Sequence, residues 1–154
     1  MEHGKDTLAT YYTKMSPQTL DELRVQILNS FAVEKKYRQK GYTSQQLADD
    51  LGTNLRYISA AVNMKFGTNF ASLINKYRVE EAVTLLSDRH YAQLNLDEIG
   101  SMVGFSNRQS FYAAFSKMMG CTPREFRLQR GLTKTQLTQK KPAKRGRKKG
   151  TKKK

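Results

Sequence analysis

The chain has 154 residues, 38% of them hydrophobic and 27% charged, enough for one domain or for two very small units sharing a core. Its formal net charge of +15 favours a polyanionic partner, either nucleic acid or an anionic membrane surface. The single cysteine, Cys121, excludes an intrachain disulfide and argues against a cysteine-based metal site; no apolar run approaches transmembrane length, and the opening Met1 to Asp6 lacks the hydrophobic segment of a secretory signal.

Met1 to Ser16 is polar and aperiodic and reads as a flexible leader. Thr19-Leu20-Asp21-Glu22 then has the form of a capping box, with Thr19 as N-cap and Glu22 three residues on. Leu20, Leu23, Ile27 and Phe31 follow at helical spacing, predicting a lead-in helix over 19–37. Thr43-Ser44-Gln45-Gln46 is a second box, opening a short helix whose inner face is Leu47, Ala48 and Leu51 and which stops at Gly52. Asn54 caps the next helix, with Ile58, Ala61, Val62 and Phe66 inward and Gly67 as its stop. Asn69 caps a longer helix to about Ser87, whose broad apolar stripe of Phe70, Leu73, Ile74, Tyr77, Ala82, Leu85 and Leu86 suits a rigid bridge. Asn95-Leu96-Asp97-Glu98 opens a short helix carrying Ile99, Met102 and Val103, ended by Gly104. Ser106-Asn107-Arg108-Gln109 opens a helix through Phe111, Ala114, Phe115 and Met119 to Gly120, and Thr122-Pro123-Arg124-Glu125 starts a last one over 122–130. No segment alternates cleanly with period two, so the predicted fold is all-α, with about seven helices in a domain over 17–131.

Two stretches of this domain follow one plan. Leu47, Leu51 and Gly52 match Ile99, Val103 and Gly104, and Ile58, Ala61, Val62, Phe66 and Gly67 match Phe111, Ala114, Phe115, Met119 and Gly120. Each is a short helix, a glycine-containing turn and a longer helix, at 43–67 and 95–120, joined by the bridge at 69–87. That is the helix-turn-helix plan, whose second helix can lie in a major groove. A plain helical bundle with two similar αα-hairpins is the alternative; duplication and the basic balance favour DNA binding.

The second unit, from Ile99 through Gly104-Phe105-Ser106 to Phe111, Phe115, Gly120 and Thr122-Pro123-Arg124-Glu125-Phe126-Arg127, resembles the signature of the AraC/XylS family of transcription regulators. Leu47-Ala48, Gly67 and Tyr77-Arg78-Val79-Glu80-Glu81-Ala82 resemble the family's first unit and bridge, so the resemblance covers Thr43 to Arg127. It implies two helix-turn-helix subdomains held by one long helix.

Subtracting the buried faces predicts the residues that meet DNA. In the first recognition helix these are Arg56, Ser59, Ala60 and Asn63; in the second, Arg108, Gln109, Tyr112 and Ala113. The resemblance places family base or backbone contacts on the same positions. Arginine can bond guanine bidentately and glutamine adenine, while Asn63, Lys65 and Lys117 suit backbone contacts, which position without specifying sequence. Ala60 and Ala113 depart from the family, many of whose members carry a longer polar residue there. Base choice is thus expected to rest on Arg108, Gln109 and Arg56. Arg78 is expected to pair with an acidic neighbour, and Asp49-Asp50 and Glu80-Glu81 to be solvated.

Lys140 to Lys154 holds ten of the 28 basic residues and no acidic one. Like charges with Pro142, Gly146 and Gly150 read as a disordered basic tail over 132–154. Arg145-Gly146-Arg147 resembles the core of an A·T-rich minor-groove hook, but Lys148 stands where that motif has proline. Lys144, Arg145, Arg147, Lys148 and Lys149 are therefore read first as a sequence-blind arm on phosphates.

Neither a nucleophile–base arrangement, a phosphate-cradling glycine loop nor a metal constellation appears in the sequence, so no enzyme activity, cofactor or metal is expected. The expected function is sequence-specific duplex DNA binding and transcription regulation in a bacterial cytoplasm, with recognition helices in successive major grooves. The protein is expected to act as a monomer without a membrane partner. About forty residues precede the double unit, too few for a sensor domain, so RNA polymerase or a separate sensor protein is the expected further partner. An architectural nucleoid protein with mostly nonspecific binding is the alternative; an RNA-binding protein is disfavoured because no aromatic-bearing sheet is predicted.

Overall fold

The structure, a computed structural model, describes residues 15–130. The predicted leader therefore lies outside it except for Met15 and Ser16, as do Gly131 and the whole predicted basic tail. Among the described residues there are seven α-helices and no strand. They are α1 (Pro17–Leu28), α2 (Ser44–Leu51), α3 (Leu55–Phe66), α4 (Phe70–Leu86), α5 (Leu96–Met102), α6 (Arg108–Met119) and α7 (Pro123–Arg130).

The chain joins the core earlier than predicted. Ser16, not Thr19, is the N-cap of α1: its Oγ accepts the Thr19 amide at 3.0 Å. Pro17 takes the first helical position, where a missing N–H costs nothing. Met15 is buried ahead of it, so the last two residues of the expected leader belong to the fold. The far end also differs. The predicted helix to Tyr37 stops at Leu28, widens into a π turn over Asn29–Val33 that carries Ser30 and Phe31 inward, and breaks at Lys35. Lys35 has φ 53°, a left-handed conformation that no α-helix can continue through. A 3-10 turn, Lys36–Arg38, then brings Tyr37 into the core.

Each helix-turn-helix unit closes on its own apolar cluster. Leu20, Leu23, Ile27 and Phe31 from α1 and its π turn meet Leu47, Ala48, Ile58, Ala61 and Val62, together with Leu73 and Ile74 of α4. Val79, Ala82, Leu85 and Leu86 of the same α4 meet Ile99, Val103, Phe105, Phe111, Ala114, Phe115 and Phe126. One 17-residue helix thus serves both cores, its first half in one and its second half in the other. Within the second core Phe111 lies 5.3 Å from Phe105 and 5.9 Å from Phe115 between ring centroids. Asn107, rather than Ser106, caps α6, accepting the Ser110 amide at 2.8 Å. Asn is at least as good a cap as Ser, and here it stands where the helix turns in.

The units are held together by a buried cation. Arg78, 8% exposed, donates from Nε to the Tyr37 carbonyl at 2.7 Å and from Nη2 to the Gln39 carbonyl at 3.0 Å. Its guanidinium sits 5.6 Å from the centroid of the Phe105 ring, in the turn of the second unit. The expected acidic partner is corrected: Arg78 is bound by main-chain carbonyls, and burial depresses its affinity for the proton. The neighbouring carboxylate is taken elsewhere, because Glu81 accepts from Arg38 and, at 2.9 Å, from the Tyr37 hydroxyl. Glu81 is accordingly not solvated as expected; Asp50 is exposed as expected, and accepts from Lys36 at 2.9 Å and Tyr42 at 2.5 Å.

Gly104 completes this junction. It has φ 113°, and a Cβ there would run into the Tyr37 carbonyl oxygen and stand 2.7 Å from Arg78 Nε. Arg78→Met removes both charge-assisted donors and leaves two carbonyls facing an apolar chain, so urea unfolding should show a loss of about 2–4 kcal/mol. Gly104→Ala should cost more than about 2 kcal/mol through clash and strain together.

Glu81 also predicts an acid response. Burial works to raise its pKa, but hydrogen bonds from Arg38 and Tyr37 outweigh it and hold the carboxyl below its ordinary 4.5. A depressed carboxylate contributes stability that is present above its unfolded pKa and lost as pH falls through the folded one. The stability gap between wild type and Glu81→Gln should therefore be widest above about pH 4.5 and close below it, in unfolding curves taken across acid pH.

Candidate nucleic-acid interface

The two candidate reading surfaces are the outward sides of α3 and α6, and each owes its shape to the helices beneath. α2 ends at Gly52, whose φ of 69° turns the chain left-handed before Asn54 caps α3. On α3, Arg56 and Asn63 are exposed, separated by two helical turns on one side, and Ser59 between them is half-buried.

Ala60 does not join them. It is 0% exposed and belongs to the cluster that holds Leu20, Leu23 and Ile27 of α1. The sequence pattern assumed one covered face on α3, whereas α1 as well as α2 packs against this helix. The wider cover removes Ala60 from any surface that a base could touch. Lys65, expected on the DNA backbone, is exposed and pairs with Asp21 of α1 at 2.7 Å. That pair links the lead-in helix to the recognition helix.

On α6 the predicted set stays together. Arg108, Gln109 and Ala113 are exposed and Tyr112 is half-buried, while Phe111, Ala114 and Phe115 fill the core. Arg108 is not loose. Asp97, on the first turn of α5, accepts from its Nε at 2.8 Å and its Nη2 at 3.2 Å, and the guanidinium lies 5.6 Å from the Tyr112 ring centroid. The hydrogen bonds that Arg108 donates to Asp97 raise its affinity for the proton. Lys40, from the loop leading into the first unit, lines the same small cleft as Asp97, Asn107 and Arg108. Lys117 is exposed near the end of α6. Lys144, Arg145, Arg147, Lys148 and Lys149 lie outside the described residues.

Asp97 and Lys40 were missing from the predicted site. In the internal repeat Asp97 corresponds to Gln45, and Arg108 to Leu55, so the first unit has no such pair to point to it. The one sequence signal was Asp97 in the first turn of the helix before the reader, where it also suits the helix dipole.

Two helix-turn-helix units on one shared helix, each presenting an exposed polar face on its second helix, define the DNA-binding domain of a transcription regulator. The chain belongs to the helix-turn-helix domain family, which matches residues 47–129, and its relatives are regulators of the AraC type. It is 28% identical to the xylose operon regulatory protein of Escherichia coli, over 57% of this chain and 22% of that protein. It is also 28% identical to the HTH-type transcriptional regulator AlkR of Acinetobacter baylyi, over 68% of this chain and 33% of that one. The chain thus spans a third or less of these relatives' length. Among solved structures, the C-terminal domain of AraT, a response regulator from Geobacillus stearothermophilus, superposes with a TM-score of 0.60 at 29% identity, covering 75% of this chain and 87% of that one. The C-terminal domain of the two-component response regulator yesN from Fusobacterium nucleatum gives 0.59 at 27% identity, covering 68% and 98%.

The two alanines should respond in opposite ways. Ala60→Leu overfills the first core and should cost about 1–3 kcal/mol in urea unfolding. Ala113→Arg, on the open side of α6, should stay within about 0.5 kcal/mol of wild type and change which duplexes are bound, as read by selection from a random pool.

Proposed function

We propose that this protein regulates transcription by setting α3 and α6 into successive major grooves on one face of a duplex, as a monomer on an asymmetric site. The supporting observation is α4: 17 residues at about 1.5 Å each make a span of about 26 Å that belongs to both cores. Together with the Arg78 junction it fixes the two reading helices relative to each other. Arg56, Ser59 and Asn63 read or anchor on one side, and Arg108, Gln109, Tyr112 and Ala113 on the other; Lys117 contacts the backbone. Lys65 contacts the backbone beside α3, and Ala60, buried, has no part in base reading.

The basic residues after Gln139 add sequence-blind affinity by displacing counterions, which deleting residues 140–154 tests as a shallower salt dependence on every duplex. RNA polymerase or a separate sensor protein supplies the link to transcription, and pull-down from a transcribing extract with the protein on its site tests that link. The curated relatives are named as regulators, which favours this function over architectural packing.

Hydroxyl-radical footprinting on a selected site should show two protected segments, about 34 Å apart along one face. Sedimentation of the complex should give one protein per site. A single protected segment, or two proteins per site, would remove the two-groove monomer.

A further inference from the structure

The ion pair between Asp97 and Arg108 leaves the arginine's reading edge open. A guanidinium carries five N–H donors in a planar fork. Asp97 takes one from Nε, at 2.8 Å, and one from Nη2, at 3.2 Å, both along the same side of the plane. What remains is the end-on edge, where Nη1 and the second hydrogen of Nη2 point away from the chain in parallel. The Tyr112 ring, 5.6 Å from the guanidinium carbon, limits how the plane can tilt. Asp97 and Arg108 are both more than half exposed at their side chains, and no hydrogen bond among the described residues takes Nη1. Asp97 itself is placed by α5, whose capping box between Asn95 and Glu98 fixes the turn that carries it.

An end-on pair of parallel donors matches the two acceptors, O6 and N7, that guanine presents in the major groove. Adenine offers an acceptor beside a donor in the same place, and thymine a single acceptor beside a methyl. A free arginine samples many rotamers and settles on phosphates as readily as on bases. A carboxylate on its lateral edge takes away that freedom and repels the phosphates flanking the groove.

The geometry points to Asp97 as a positioning residue that sets Arg108 as a fixed guanine reader, giving the second unit a strong preference for a G·C pair at one position. This rests on the major-groove reading of α6 above. This pair is not repeated at the corresponding positions of the first unit, where Leu55 stands for Arg108 and Gln45, standing for Asp97, donates to Asp49 of its own helix at 3.0 Å.

The test begins with sites selected by the wild-type protein from a random duplex pool, followed by affinities for every single-base change in the selected site. Arg108→Ala should lower discrimination at one G·C position from about tenfold or more to below about threefold. Asp97→Asn, which keeps side-chain size, and Asp97→Ser, which keeps a polar group in the first turn of α5, should do the same at that position alone. The double variant Asp97→Asn/Arg108→Ala should match Arg108→Ala there. A merely structural role would lower affinity by the same factor on all sequences, and that result overturns the proposal. So does an Arg108→Ala protein with every preference intact. If the wild type selects no consensus at all, the sequence-specific reading of both units fails, whereas a consensus indifferent to Asp97 removes only this inference.

Discussion

A guanidinium taken out of water costs several kcal/mol unless its donors are used. Arg78 meets that condition without a carboxylate. Two carbonyls of the loop before α2 accept from it, and the face of Phe105 covers it. The carbonyls belong to the first unit's approach and the ring to the second unit's turn, while Arg78 stands in the helix between. Moving one unit relative to the other would strand a buried charge, so the angle between the reading helices is fixed by electrostatics as well as by packing. The absence of a side chain on Gly104 is part of the same constraint, because the turn must approach the Tyr37 carbonyl closely enough for Phe105 to reach the guanidinium.

The second unit uses a similar clamp, although the buried Nε of its arginine has no hydrogen-bond partner. Arg127 of α7, also buried, donates to the Leu94 carbonyl at 2.6 Å and to the Tyr91 carbonyl at 3.3 Å, in the loop that leads into α5. In each unit, then, the helix after the recognition helix sends an arginine back to the loop before the first helix. Each of these loops bonds itself mainly through one short 3-10 turn, Lys36–Arg38 and Arg89–Tyr91, which leaves carbonyls in need of other donors. An arginine is suited to this because its fork reaches two acceptors at once and stays charged at any relevant pH. The clamp closes each short unit into a ring of contacts around its apolar cluster.

Most of the fold was legible because its signals are local. Caps at Thr43, Asn54, Asn69, Asn95 and Thr122 stand where the sequence placed them, and glycines at 52, 67 and 120 end helices in the left-handed conformation. Where two capping residues compete at one entry, as at Ser16 and Thr19 or Ser106 and Asn107, pattern alone does not decide which ends up outside the helix. The other differences are tertiary. Periodicity assigns a helix one buried face, but α3 lies between α1 and α2, and Ala60 is small enough to vanish into the extra cover. Charge partners are equally non-local: Arg78 and Glu81 reach back about forty residues, to Tyr37, Arg38 and Gln39, and Asp97 reaches forward to Arg108. Nothing in spacing announces contacts of that range.

The distribution of charge within the fold bears on how such a domain discriminates. The chain as a whole is +15, yet much of the basic character among the described residues is already engaged. Lys36 pairs with Asp50, Arg38 with Glu81, Lys65 with Asp21 and Arg108 with Asp97, while Arg78 and Arg127 are buried on carbonyls. A cation held by a carboxylate adds little to the long-range pull on a polyanion, since the pair is nearly neutral beyond a Debye length of about 8 Å. Nonspecific attraction scales with the number of phosphates neutralised, so engaging these side chains weakens the domain's grip on arbitrary sequence. It leaves intact the short-range donors that a matching base can use, because a hydrogen bond across a few ångströms depends on geometry that a fixed side chain already has. Discrimination is a difference between two affinities, and a folded body that suppresses the nonspecific one gains specificity without any further contact to the bases.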